Sequence, residues 1–149
     1  MHSDSTSRAM DTVGRMRSAV SIGLLAAWTI PAMVQAAPYL RCQLEQGGTT
    51  LVQEFAPVAD PYGVESIDLN GRFRFKAVVI GDERKIQYIK LYTYYQTARR
   101  LLLVHEVKHL SPELPTGTSA LALTGQNYVY SPGKEREFQY SCSLIGGTP

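Results

Sequence analysis

The chain alternates apolar and polar residues over much of its length, with the period of two that is typical of half-buried β-strands. The positions that would share one apolar face are, in chain order, Leu40, Cys42 and Leu44, then Phe73, Phe75, Ala77 and Val79, and finally Phe138, Tyr140, Cys142 and Leu144. The residues between them are mostly charged or amide side chains. Each stretch therefore predicts a strand with one face in a core and the other in solvent.

Turn signals separate these stretches. Gly47-Gly48 follows the first strand, Asn70-Gly71 precedes the phenylalanine-rich strand, and residues 131–134 read Ser-Pro-Gly-Lys before the last one. Asn-Gly between two strand patterns is the strongest short signal for a hairpin. About eight strands follow one another without a strand–helix–strand repeat, which indicates an all-β fold, a small antiparallel barrel or a sandwich.

The N-terminal segment has a different character. Two arginines precede an uncharged apolar run over residues 19–34, and the run leads into Val-Gln-Ala, which fits a signal-peptide cleavage site. The run contains Pro31 and is shorter than the roughly 20 residues of a membrane-spanning helix. We therefore expect a signal peptide over residues 1–36, cleaved after export. A single β domain over residues 37–149, periplasmic or secreted and with no stable membrane span, would remain.

The chain has two cysteines, Cys42 and Cys142, on the apolar faces of the first and last predicted strands. An exported chain reaches an oxidising compartment, where a disulfide persists. We expect the two to form a disulfide that brings the first and last strands together, as closing a barrel would require. The alternative is a pair of buried free thiols.

Charge and composition narrow the function. Residues 37–149 carry 12 lysines and arginines against 11 aspartates and glutamates, so nothing favours a nucleic-acid partner. They contain no Ser/His/Asp set, phosphate-binding loop or cofactor fingerprint. A non-enzymatic binding role without a cofactor is therefore the expectation.

The pentapeptide His105-Glu106-Val107-Lys108-His109 spells H-E-x-x-H, the zinc-peptidase signature in which two histidines hold zinc and the glutamate is the base. That chemistry requires a helix, because four residues of a strand span about 13 Å. Leu101, Leu103, His105 and Val107 also alternate well enough for a strand. We favour the strand. The alternative is a zinc-binding protein or zinc-dependent peptidase with His105 and His109 as ligands and Glu106 as base.

A row of tyrosines occupies one side of the strand predicted over residues 85–95. Tyr88, Tyr92 and Tyr94 share that side with Lys90, while the opposite side is largely aliphatic. If the aliphatic side faces the core, the tyrosines face outward, and tyrosine is enriched at binding surfaces. The alternative is ordinary cross-strand packing.

Two further stretches carry a resemblance to a known family. They are YLRCQLEQGGTTLVQEF at residues 39–55 and TGQNYVYSPGKE at residues 124–135, closed by Cys142. Together they resemble the small periplasmic and membrane-bound inhibitors of c-type lysozyme. Those inhibitors are disulfide-linked, eight-stranded antiparallel barrels whose loops carry a Ser-Gly…Tyr motif and a Lys-Gly motif. In this chain, a threonine stands in the serine position and Gly133-Lys134 reverses the second motif.

In that family a serine and a lysine from these loops enter the lysozyme cleft. The resemblance implies that Thr124, Gly125, Tyr128 and Lys134 are binding residues and that lysozyme is the partner. The sequence thus predicts an exported, non-enzymatic binding protein of the bacterial cell envelope, with lysozyme inhibition as the most specific form of that role.

Overall fold

A computed structural model describes residues 37–147, so the signal peptide predicted over residues 1–36 lies outside the described residues. Within the described part, every regular element is a β-strand, and no helix there is long and apolar enough to cross a membrane. The strands are β1 (Tyr39–Gln46), β2 (Thr49–Phe55), β3 (Ile67–Leu69), β4 (Phe73–Gly81), β5 (Ile86–Gln96), β6 (Leu101–Leu110), β7 (Ala120–Ala122), β8 (Asn127–Tyr130) and β9 (Glu137–Ile145).

The strands form two antiparallel sheets. The five-stranded sheet has the order β2-β1-β9-β7, and β8 pairs with the earlier part of β9. The four-stranded sheet has the order β3-β4-β5-β6, which is also the chain order. The sheets pack with their apolar faces together, so the predicted all-β class is confirmed. The architecture is a sandwich rather than a closed barrel.

The core consists of the alternating residues that the sequence places on one face. Leu40, Leu44, Phe73, Phe75 and Phe138 are all fully buried. The aromatic rings of the two sheets meet in the middle of the sandwich, where the centroids of Phe75 and Tyr140 lie 5.2 Å apart. Aromatic burial of this kind supplies much of the hydrophobic stabilisation of a small domain.

The predicted disulfide is present. Cys42 lies directly opposite Cys142 in the register of β1 and β9, and the two sulfurs are bonded. Both residues are buried. The bond joins the first and last strands as predicted, but it does not close a barrel, because among residues 37–147 no pair of these strands links the sheet of β1 and β9 to the other sheet. The bond reinforces a pair of strands that are already hydrogen-bonded.

The predicted Asn-Gly hairpin joins β3 to β4. Asn70 and Gly71 have φ angles of 53° and 64°, the left-handed conformation that both central residues of a type I′ turn require. The Gly71 amide donates to the Asp68 carboxylate at 2.9 Å. The Asn70 side-chain amide donates to the Gln46 side-chain oxygen at 2.9 Å, so the turn is also tied to the end of β1 in the other sheet.

Candidate functional site

The H-E-x-x-H segment lies in β6, an edge strand of the four-stranded sheet. Glu106 projects from the outer face, where it accepts a hydrogen bond from the Lys90 ammonium at 2.9 Å. His105 and His109 are partly buried and face the other way, four residues apart on an extended strand. No cluster of three or more histidine, cysteine or acidic residues that could hold a metal occurs among residues 37–147. The strand therefore does not assemble the arrangement on which the zinc alternative depends.

A β-bulge sets which side chains of β6 face the core. Thr93 pairs with His105, but its neighbour Tyr94 pairs with Leu103, so Val104 is an extra residue. Leu101 and Leu103 consequently project outward and are about half exposed, at 46% and 51%. The expectation that Leu101, Leu103, His105 and Val107 share one face is wrong, because the bulge reverses the alternation at its centre.

His105 connects the two sheets. Its Nε2 atom lies 2.9 Å from the hydroxyl of Tyr140 on β9, within hydrogen-bonding distance. Burial raises the pKa of Tyr140 to about 12, so the phenol keeps its proton at neutral pH. The contact gives His105 a structural role, which holds the edge strand β6 against the opposite sheet.

His109 has a buried Nε2 atom without a hydrogen-bond partner. Burial lowers the pKa of this imidazole below its ordinary value of 6.5, because the charged form is poorly solvated. Folding therefore favours the neutral form of His109.

The lowered pKa of His109 predicts that the free energy of unfolding decreases in acid. Below about pH 6.5 the unfolded chain binds a proton at His109 more readily than the folded chain does, so stability falls as the pH drops toward the folded pKa. We expect His109→Leu to reduce the loss in urea midpoint between pH 7.5 and pH 5.5. His105→Gln is the matched control. It keeps His109, so the part of the fall in urea midpoint that comes from His109 should remain. An unchanged pH dependence in His109→Leu would contradict the assignment.

The predicted tyrosine row lies on the outer face of the four-stranded sheet. Tyr88, Tyr92 and Tyr94 are partly exposed there, whereas Ile89 and Leu91 on the opposite side of β5 are fully buried. The rings of Tyr92 and Tyr94 are nearly parallel, at 17°, with centroids 6.2 Å apart. The outer side of β5 thus carries three tyrosines, of which Tyr92 and Tyr94 stack on each other.

A cavity of about 340 Å³ opens on this surface. Val78 forms part of its lining although it points away from the core. Pro61 and Tyr62 of the β2–β3 connection also line the cavity, and Tyr62 is 92% exposed. The remaining lining residues are Lys76, Tyr88, Lys90, Tyr92 and Tyr94. We call these eight residues the tyrosine–lysine cavity.

Two lysines of this face lie over aromatic rings. The Lys90 ammonium lies 5.5 Å from the centre of the Tyr92 ring, and that of Lys108 lies 5.0 Å from the centre of the Tyr88 ring. The hydrogen bond that the Lys90 ammonium donates to the Glu106 carboxylate raises the pKa of Lys90. The cationic groups are thus positioned by neighbours on the adjacent strands rather than extended freely into solvent.

The residues implied by the family resemblance lie around β8, in the other sheet. The Thr124 hydroxyl accepts a hydrogen bond from the Cys142 amide at 2.9 Å and donates one to the Gly125 carbonyl at 2.8 Å. Both hydrogen bonds are made within the protein, so the Thr124 hydroxyl fixes the loop rather than pointing toward a partner. Lys134 lies on the turn after β8, so β8 separates it from Thr124 along the chain.

Exposed aromatic area is concentrated on β8. Tyr128 and Tyr130 are 56% and 60% exposed, while Val129 between them is buried. The family resemblance implies Tyr128 as a binding residue but not Tyr130, although the spacing of two residues predicts that both lie on the same side of the strand. We call Tyr128, Tyr130 and Lys134 the β8 surface.

Sequence reasoning also missed two residues of the tyrosine–lysine cavity. Lys76 is opposite Tyr92 in the β4–β5 register, and the alternation of β4 indicates only that its side chain faces solvent. Tyr62 is in a loop whose path no local pattern predicts.

Comparison of the chain with protein-family models, with characterised proteins and with solved structures gives no match. We therefore infer the function from the geometry of the tyrosine–lysine cavity and the β8 surface.

Proposed function

We propose that the protein is an exported, non-enzymatic binding protein of the bacterial cell envelope. The disulfide between Cys42 and Cys142 supports an oxidising compartment, and the signal-peptide pattern over residues 1–36 supports export. The observation that carries the binding role is the β8 surface, where two large tyrosines are mostly exposed beside a lysine-bearing turn. Tyrosine supplies rigid contact area with a polar tip, a combination enriched where proteins meet.

The turn that carries Lys134 is preorganised. The Ser131 hydroxyl, on a residue only 6% exposed, donates a hydrogen bond to the Lys134 carbonyl. The Ser131 amide donates another to the Arg136 carbonyl at 2.9 Å. Gly133 has a φ of 68°, which a residue without a side chain adopts readily. A fixed turn loses little conformational entropy when it binds, so its lysine is a suitable anchor.

A c-type lysozyme is the partner that this surface and the family resemblance together favour. Lysozyme cleaves glycosidic bonds with two carboxyl groups in an open cleft. An ammonium group on a projecting turn is complementary in charge to such a cleft. In this proposal Lys134 enters the cleft while Tyr128 and Tyr130 cover its edge. Thr124 contributes by holding the preceding loop on Cys142.

The proposal predicts metal-independent inhibition of c-type lysozyme. We expect Lys134→Ala to raise the inhibition constant by about tenfold or more, because loss of a charge-assisted hydrogen bond typically costs that much affinity. The measurement is the rate of cell-wall lysis at a series of protein concentrations, with and without chelator.

Lys85→Ala is the matched control, because this exposed lysine lies on the β4–β5 turn of the other sheet. It should inhibit as well as the unaltered protein does. The assignment fails if the protein does not inhibit lysozyme, or if Lys134→Ala and Lys85→Ala inhibit equally well.

A further inference from the structure

We propose a second binding site that is independent of the β8 surface: the tyrosine–lysine cavity binds an acidic saccharide. The cavity lies on the outer face of the four-stranded sheet, whereas β8 belongs to the other sheet. Its occupant is inferred from charge, from size and from the kind of polar groups that line it.

Charge complementarity indicates an anionic ligand. Lys76 and Lys90 line the cavity, and its eight lining residues include no carboxylate. Lys90 is paired with Glu106, which lies outside the lining, but Lys76 has no salt-bridge partner within residues 37–147. An ammonium group without a partner at the edge of a concave surface attracts a carboxylate, sulfate or phosphate.

The wider face adds to the positive potential. Arg74 and Lys108 flank the cavity on β4 and β6, opposite tyrosine or lysine residues of β5. The acidic residues on the outer face of these strands are Asp68 and Glu106, and each already lies beside a cation, Arg74 and Lys90 respectively. Positive charge on this face therefore exceeds the negative charge that could neutralise it.

The size of the cavity favours a small polar ligand over a protein surface. A cavity of about 340 Å³ lies within the range of roughly 300–1,000 Å³ that small-molecule sites occupy. A protein partner is therefore the less favoured occupant.

The tyrosines identify the ligand as a saccharide. Four of them, Tyr62, Tyr88, Tyr92 and Tyr94, line the cavity, and each phenol can donate and accept a hydrogen bond, as sugar hydroxyls do. Their rings offer apolar area for the C–H faces of a sugar ring. Tyr92 and Tyr94 are two residues apart on a strand, so their rings lie in a row that suits an extended saccharide chain. The combination of phenols with the unpaired ammonium group of Lys76 matches a sugar that carries an acidic group.

Isothermal titration calorimetry of the purified protein tests the site with matched pairs of probes. The acidic probes are a trimer of galacturonic acid and the disaccharide of N-acetylglucosamine and N-acetylmuramic acid. Their neutral counterparts are maltotriose and the dimer of N-acetylglucosamine. We expect at least one acidic probe to bind about tenfold more tightly than its counterpart, and its affinity to fall as salt is added.

Two variants locate the binding. Lys76→Met removes the unpaired charge but keeps an apolar stem, and Tyr92→Leu removes a phenol. Each should weaken binding of the acidic probe by about tenfold. Lys85→Met is the matched control and should bind normally. Far-UV circular dichroism of each variant establishes that it folds.

Several outcomes would overturn the proposal. One is failure of both acidic probes to bind more tightly than the neutral ones. Another is retention of full affinity by folded Lys76→Met and Tyr92→Leu. Binding of an acidic peptide, such as tetraglutamate, more tightly than either saccharide would assign the cavity to a protein partner instead. Lysozyme inhibition is measured separately, so either proposal can fail without the other.

Discussion

Replacement of both Cys42 and Cys142 by alanine is expected to lower the free energy of unfolding by about 4 kcal/mol. The two residues are 100 positions apart in the chain, so the disulfide constrains nearly the whole domain in its unfolded state. Chain-entropy arguments give about 4.7 kcal/mol for a loop of this length, and removal of native disulfides typically costs about 2–5 kcal/mol. For a domain of this size, that loss is a large fraction of the total stability.

Guanidinium unfolding of the oxidised protein and of the double alanine variant measures this difference. The unaltered protein unfolded under reducing conditions is the matched control, because it loses the bond without a change of side chain. Both should unfold at a clearly lower midpoint than the oxidised protein. Equal midpoints for all three would show that the bond does not constrain the unfolded chain.

The disulfide-bonded Cys142 also holds the loop that leads to the β8 surface. The Cys142 carbonyl accepts hydrogen bonds from the amides of Leu123 and Thr124, and its amide donates to the Thr124 hydroxyl. The loop that leads into β8 is therefore attached to the backbone of a bridged residue. The position of Tyr128 depends on this attachment, since the loop immediately precedes β8.

Phe138→Ala is expected to cost about 3–5 kcal/mol, the range for truncating a buried phenylalanine. Phe138 is fully buried on β9 and its ring lies 5.7 Å from that of Phe73 and 5.9 Å from that of Phe75, both in the opposite sheet. Its removal leaves a cavity between two sheets, and the hydrogen bonds within each sheet fix the positions of the strands. The surroundings cannot collapse to fill it, so the cost is high.

Urea unfolding of Phe138→Ala, Phe138→Leu and Tyr62→Ala measures this effect against two references. Phe138→Leu should cost less because it keeps most of the apolar volume. Tyr62→Ala removes an aromatic ring that is 92% exposed, so its effect should stay within about 0.5 kcal/mol. A cost below about 1 kcal/mol for Phe138→Ala would mean that the core can rearrange around the missing ring.

The candidate sites were only partly predictable. The outward position of Tyr88, Tyr92 and Tyr94 follows from a local rule, because alternate residues of a strand face opposite sides and Ile89 and Leu91 need a core. The use of the Thr124 hydroxyl inside the protein does not follow from any such rule. It depends on the Cys142 amide, 18 residues away in the chain, lying within reach.

Features that depend on near neighbours in the chain could be predicted from the residues alone. Alternation with a period of two marks the inward faces of β1, β4 and β9, and Asn70-Gly71 marks a hairpin because both residues tolerate positive φ. The pairing of the cysteines also followed, because the chain contains only two. Each of these inferences needs only the chain's local geometry or its composition.

The arrangement of the strands could not be predicted in this way, because it depends on contacts between distant segments. The choice of a sandwich over a barrel depends on which strands hydrogen-bond, and residues far apart in the chain compete for that pairing. The bulge at Val104 reverses the faces of β6, which places His105 against Tyr140 and leaves Leu103 outside. The tyrosine–lysine cavity combines Pro61 and Tyr62 of the β2–β3 connection with side chains of β4 and β5. These contacts form between distant segments, so no local pattern encodes them.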